Sequence, residues 1–320
     1  MSLEALLTKL ETDEHVTAVE LANLSDLHGE GRDGFLDVWR RLGIQQRRDV
    51  IDRLAELSED NVDYDFTNVY MIGLLDDDVQ VRAESVKALW EYEGDDLPPM
   101  LLRLLRDPEA IVRAEAALGL GRVLLRAELM GEGGGRIDDI EEALRAVIYD
   151  QSEIVEVRGR AIEAVGVRGH EWVRDLIEES YSSGDRRLQI SAVHAMGRNA
   201  DTEWLPTIIE EMHSDDSEMR FEAATSAGGI ADESVIPELA SLAIDEDPEV
   251  QEAAISALGQ IGGPAARSAL QSIASESNED RVLEAVTDAM SEADFVEDPM
   301  ALKQYLDQSV ADDRDEDEEE

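Results

Sequence analysis

The feature that most limits what this chain can fold into is a repeat of about 31 residues. Aligning Val81-Arg82-Ala83-Glu84-Ser85-Val86-Lys87-Ala88-Leu89 with Val112-Arg113-Ala114-Glu115-Ala116-Ala117-Leu118-Gly119-Leu120 gives an offset of 31, and the frame restarts at Val157, Leu188, Met219, Val250 and Val282. Only the step from Val112 to Val157, 45 residues, departs widely from the period. Counting the first residue of each copy as zero, position zero is bulky and apolar. Position four is small or apolar (Ser85, Ala116, Ala161, Ala192, Ala223, Ala254, Val286), and position seven is small (Ala88, Gly119, Ala164, Ala195, Ser226, Ala257, Ala289). With the apolar residue at position eight they share one face of an α-helix. Next come Gly121, Gly166, Gly197, Gly228 and Gly259, with Trp90 and Ser291 in the outer copies. A glycine there predicts a helix end at which the chain turns through positive φ.

Each helix is preceded by an acidic or small polar turn, such as Asp107-Pro108, Asp215-Asp216-Ser217 or Asp247-Pro248. Asp or Ser at the N-cap and Pro just inside are helix starts. Upstream of each turn lies another amphipathic stretch: 97–105, 137–149, 171–181, 203–212, 233–244 and 264–273. Each copy therefore predicts a helical hairpin. Residues 35–42 with 44–57 predict one more, and 3–10 with 15–24 a capping one. The expected fold class is all-α, an α-α superhelix: a right-handed solenoid of about nine hairpins. Its expected organisation is N-terminal capping helices over 1–28, a solenoid over 29–293 with a Gly-rich insert at 131–136, a C-terminal capping helix over 294–309 and a disordered acidic tail over 310–320. That tail follows from eight acids among the last ten residues.

The acidic turn, Val-Arg, Ala and Ala-Leu-Gly pattern over about residues 60–293 resembles HEAT-like repeats of the phycobilisome-lyase type. The resemblance implies either a binding scaffold or a bilin lyase handling a tetrapyrrole. It also covers haloarchaeal adaptors that link taxis signalling to motility. Another branch, the deoxyhypusine hydroxylases, holds a di-iron centre through several His-Glu pairs. Here only His170-Glu171 has that dipeptide. The repeat arginine is kept at Arg82, Arg113, Arg158 and Arg220 and lost at Gln189, Gln251 and Leu283.

Absence of cysteine removes disulfides, thiolate catalysis and Cys-based metal sites. No Gly-x-Ser-x-Gly elbow occurs, and Gly131–Gly135 lacks the Gly-Lys-Ser/Thr ending of a phosphate loop. The expectation is a non-enzymatic chain with no cofactor and no metal. No apolar run is long enough for a membrane span, and the N-terminus has no basic signal region, so a cytoplasmic location is expected. The net charge is −48, with 28 basic and 76 acidic residues, which disfavours nucleic acid, though a nucleic-acid-binding solenoid stays as a further alternative. The charge is uneven: residues 101–200 carry −4, against −15 before them and −29 after. Half of the basic residues lie in this middle part, including Arg122, Arg126, Arg136, Arg160, Arg174, Arg186 and Arg198.

Positions two, three and six of the repeat helices fall opposite the apolar stripe. In the outer copies they are polar, but in the middle they become Leu118, Arg160, Ile190, His194 and Phe221. Apolar anchors with Arg on an acidic face are candidate contacts for a cytoplasmic protein partner. The Arg column (Arg82, Arg113, Arg158, Arg220) flanks the buried stripe, which predicts a structural role: pairing with turn carboxylates such as Asp77 or Asp107 and with helix-end carbonyls.

Only three of the 28 basic residues are lysines, and most acids have no cation to pair with. This composition resembles that of proteins from salt-in halophiles. Molar salt shortens electrostatic reach to about 3 Å, relieving self-repulsion. The midpoint of thermal unfolding, followed by circular dichroism, is expected to rise steadily from 0.1 to 2 M KCl; a flat or falling midpoint contradicts it.

Overall fold

The computed structural model describes residues 2–297 apart from 13, 14, 62, 132 and 133. Among the described residues eighteen α-helices pair into nine hairpins and no strand occurs. The fold class is all-α, of the α-α superhelix type. Of the expected C-terminal capping helix, all beyond 297 lies outside the described residues, as does the acidic tail over 310–320.

The chain divides into two compact units, Met1–Ala164 and Val165–Glu320, where the sequence predicts an uninterrupted solenoid. Hairpin stacks are held by nearest-neighbour contacts, so such a chain divides between repeats more readily than a globular domain does. The first unit contains α1 (Leu3–Glu11), α2 (Ala18–Leu21), α3 (Gly29–Trp39), α4 (Ile44–Asp60), α5 (Thr67–Gly73), α6 (Val79–Ala88), α7 (Leu97–Leu104), α8 (Ala110–Met130), α9 (Gly135–Tyr149) and α10 (Val155–Val165, whose last residue crosses the boundary). Odd-numbered members are first helices and even-numbered ones second helices. First helices pack on first (α1 on α3, α3 on α5) and second on second (α2 on α4, α4 on α6, α6 on α8). The 45-residue step is absorbed by helix extension: α8 runs for 21 residues and ends at Gly131, φ 65°, and α9 runs for 15.

The second unit contains α11 (Glu171–Tyr181), α12 (Arg186–Asn199), α13 (Leu205–Glu211), α14 (Ser217–Ile230), α15 (Ile236–Leu242), α16 (Pro248–Ile261), α17 (Gly263–Glu276) and α18 (Asp280–Glu297). Its dominant packing is the row of second helices, α12 on α14 on α16 on α18. Asp185, Asp216 and Asp247 cap α12, α14 and α16, as Asp78 caps α6. Asp107-Pro108 departs from the expectation. The helix begins later, at Ala110, and Asp107 stays in the turn, accepting the Glu109 N–H at 2.9 Å.

The column of glycines does something other than end helices. Gly121, Gly197, Gly228 and Gly259 lie inside helices, Gly166 directly follows the last residue of α10, and none of the five has a positive φ. A Cβ placed on them would meet the Cα of the position-seven residue of the next repeat: 2.8 Å from Ala164, 2.9 Å from Ala195, 2.5 Å from Ser226, 3.0 Å from Ala257 and 2.9 Å from Ala289. Glycine at position nine and a small residue at position seven are two halves of one contact. The left-handed helix ends fall three residues later, at Ala200 (φ 55°), Ala231 (φ 56°) and Gly262 (φ 64°). Two of them are alanines, whose Cβ crowds the following carbonyl in this region.

Gly197→Ala is expected to destabilise the protein by about 2–4 kcal/mol, because the new methyl meets backbone that cannot rotate away. Ala231→Gly, relieving a left-handed alanine, is expected to stabilise by about 0.5–1 kcal/mol after the unfolded-state entropy of glycine is set against it. Denaturant titration of both variants checks this, and equal effects of the same sign would contradict the packing role.

Candidate functional site

The Arg column forms a series of clamps. Arg220 donates Nε and Nη2 to both carboxylate oxygens of Asp245 at 2.8 Å, and Nη1 to the Ser214 carbonyl oxygen at 2.9 Å. Arg82 repeats this on Asp107, at 2.8 and 2.9 Å, and on the Asp76 carbonyl oxygen at 2.8 Å. Arg113 grips Glu153 with two bonds of 2.7 Å and the carbonyl oxygens of Asp107 and Pro108. Each arginine thus closes the carbonyl end of its own turn and reaches forward to the next turn. Asp107 is the forward partner the spacing predicts. The other, Asp77, is replaced by the backbone oxygen of Asp76. Arg158 bonds the Ile148 carbonyl oxygen at 2.8 Å.

The carboxylates have a second task. Asp76, Asp107 and Asp245, each five residues before a frame start, accept the N–H two residues on at 2.9 Å. In three other turns this place belongs to Ser183, Ser214 and Ser277, whose hydroxyls accept the equivalent N–H at 3.2–3.4 Å. Two of these serines, Ser214 and Ser277, follow the frames in which Arg is replaced by Gln189 and Gln251. Gln189 keeps the backward bond, to the Tyr181 carbonyl oxygen at 3.0 Å, and Gln251 keeps it to Asp245 at 2.6 Å. In these two repeats Arg is lost together with its forward acid, whereas Arg158 is kept although Ser183 occupies the turn after it. Hydrogen bonds from Arg220 and Arg113 hold the carboxyls of Asp245 and Glu153 below the usual range against the opposing effect of burial. A lowered native carboxyl stabilises above the ordinary carboxylate range, and that contribution disappears as pH falls through the lowered value.

Exposure sorts the predicted contact residues. In the second unit Phe221, on α14, is 37% exposed, whereas Ile190, on α12, is 1% exposed and is corrected to a core residue. Position two is also buried at Ala83, Ala114 and Gly159 and opens only at Phe221, Glu252 and Glu284, so one helical wheel does not serve every repeat. His194, half-buried, meets Glu222 with its Nδ1 2.6 Å from the carboxylate. In the first unit Leu118 is half-buried on α8. Arg160, on α10, pairs with Glu156 at 3.1 Å and with Glu163 at 2.9 Å, and Glu163 is 3% exposed. Arg160 therefore neutralises a buried carboxylate, a task its position in the sequence did not disclose. Among the described residues no group of three His, Asp or Glu side chains is placed to hold a metal ion, and no helix is long and apolar enough to cross a membrane.

A family profile described as HEAT repeats matches residues 205–291, which contain the packed second helices α14 and α16. Over residues 205–291 the chain is a HEAT-like repeat protein. Among solved structures, this HEAT-like chain is similar to the CpcE–CpcF complex of phycocyanin lyase from a Nostoc species, at 15% identity with a TM-score of 0.54, over 87% of this chain and 95% of that one. Yeast importin-beta matches at 12% identity and a TM-score of 0.49, over 91% of this chain and 46% of that one. Human deoxyhypusine hydroxylase matches at 19% identity and a TM-score of 0.33, over 71% and 96%. At these identities the likeness is one of fold. No curated protein sequence matches the chain.

Arg220→Leu is expected to cost about 3 kcal/mol, since it leaves Asp245 charged and enclosed. Arg220→Gln alone should cost less. Arg220→Gln combined with Asp245→Ser, which copies the Gln189 and Ser214 pair, should regain most of the loss. A double variant no better than the single one contradicts the clamp.

Proposed function

We propose that this HEAT-like protein is a non-enzymatic scaffold that binds another protein through the exposed face of its second helices. Exposed Phe221 carries the reading, as a large aromatic side chain on a face whose other exposed residues include Glu218, Thr225, Glu252 and Ser256. Aromatic side chains supply much of the contact energy at protein interfaces, while a polar rim sets specificity. Around it Glu218 pairs with Arg186, Glu222 meets His194 and Glu252 pairs with Arg281, a polar rim that favours a partner offering an apolar recess. Leu118 and His194 extend the candidate face on their respective units as lesser contacts, and Arg160 contributes by holding Glu163 neutralised. The role is proposed for the cytoplasm, with signalling or motility as its setting.

Phe221→Glu is the informative variant, because its side chain reaches solvent and is not paired. Charge reversal at Arg160 is not suitable, since it would set a third acid beside Glu156 and Glu163. Affinity capture from the native host in high salt, followed by mass spectrometry, should show the same interactors with wild type and their recovery lowered about tenfold with Phe221→Glu. The thermal midpoint should be unchanged. Undiminished recovery overturns the face, and a red-shifted bound spectrum after adding a bilin would favour the tetrapyrrole reading instead.

A further inference from the structure

Several arginines of the basic middle of the chain are already engaged by carboxylates. Arg126 pairs with Glu93 at 3.3 Å, Arg136 with Asp95 at 2.5 Å, and Arg186 with Asp216 and Glu218. Arg122, on α8, is different. Among the described residues its guanidinium makes one hydrogen bond, a long one of 3.5 Å to the Val86 carbonyl oxygen, and no ion pair. The carboxylate that bears on it most is Glu115, two turns earlier on the same helix. Burial pushes the Glu115 carboxyl up, while the same effect weakens the hold of Arg122 on its proton.

Arg122 lines a cavity of about 840 Å³ inside the first unit, between the 89–98 segment, α8 and the start of α9. Arg126 and Arg136 share its wall, and the Arg126 Nε is buried without a hydrogen-bond partner. Trp90, 63% exposed, stands where later repeats have the packing glycine, and it lines the cavity with Tyr92. Leu97 and Val123 add apolar lining.

Two arginines of this wall are paired, Arg126 with Glu93 and Arg136 with Asp95, and among the described residues Arg122 alone of the three makes no ion pair. A single carboxylate balances it. A polyanion would leave excess charge inside a molecule of net charge −48. The aromatic and aliphatic lining has no use for a free inorganic anion but would bury apolar groups on either side of a carboxylate.

We propose that this cavity binds a partner peptide segment carrying one carboxylate flanked by apolar residues, with the carboxylate on Arg122 and an apolar neighbour against Trp90. The ligand class rests on the protein-binding reading, but none of the residues is shared with the Phe221 face.

The test is a fluorescence titration of the full chain, in salt at which the helices are fully formed, with Trp90→Phe as the baseline. Three probes are used: acetyl-Leu-Glu-Leu-amide, its Gln counterpart and inorganic phosphate. The Glu peptide should change the Trp90 signal saturably, and the other two should bind at least tenfold more weakly. Arg122→Gln should weaken the Glu peptide at least tenfold and leave the Gln peptide unchanged. No saturable signal with the Glu peptide, equal binding of the Gln peptide or equal binding of phosphate overturns the proposal. If Arg122→Gln unfolds, Trp90→Ala followed by calorimetry replaces it, with the same tenfold loss expected and unchanged affinity overturning. Loss of partner capture by Phe221→Glu with a silent cavity sinks this proposal alone; peptide binding with capture unaffected sinks the face alone.

Discussion

A Cβ on Gly197 would lie 2.5 Å from the Cα of Ser226, so backbone meets backbone between successive second helices, with no side chain between them. Much of the rest follows from that approach. From Gly121 to Gly259 position nine is glycine and the facing position seven is small, and the interface is thin and rich in alanine. A chain with 4% aromatic residues suffices because little space is left to fill. Ser226 shows how tight the fit is: its hydroxyl is buried and donates to the Val193 carbonyl oxygen at 2.8 Å. Helices brought this close also place each turn beside the next, which sets the spans over which the arginines reach forward.

The fold was legible because hydrophobic spacing and small residues report helix faces directly. The hairpins came out in number and nearly in extent; 171–181, for example, is α11 as observed. The glycines were misread because a glycine at the end of an apolar stripe has two explanations, positive φ or close approach, and only coordinates separate them. The true left-handed positions are held by Ala200 and Ala231, residues that carry no local sign of it.

The candidate face was less legible. A helical wheel treats each helix alone, whereas exposure depends on what the neighbouring helices cover, and this changes along the stack. Ile190 and Phe221 occupy the same repeat position, yet one is core and the other surface. The clamps had a usable trace in the sequence. Ser214 and Ser277 stand where other turns have an acid, one repeat after the glutamines at 189 and 251, and this paired loss could have been found by comparing columns.

Contact between backbones has a mechanical consequence. A seam of flexible side chains can absorb a displacement by changing rotamers, but the ladder from Gly166 to Ala289 offers few rotamers to change. A shift imposed on one second helix within the second unit must be passed to the next or must break the contact. The row therefore responds as a stiff element, conveying strain along its length rather than dissipating it locally.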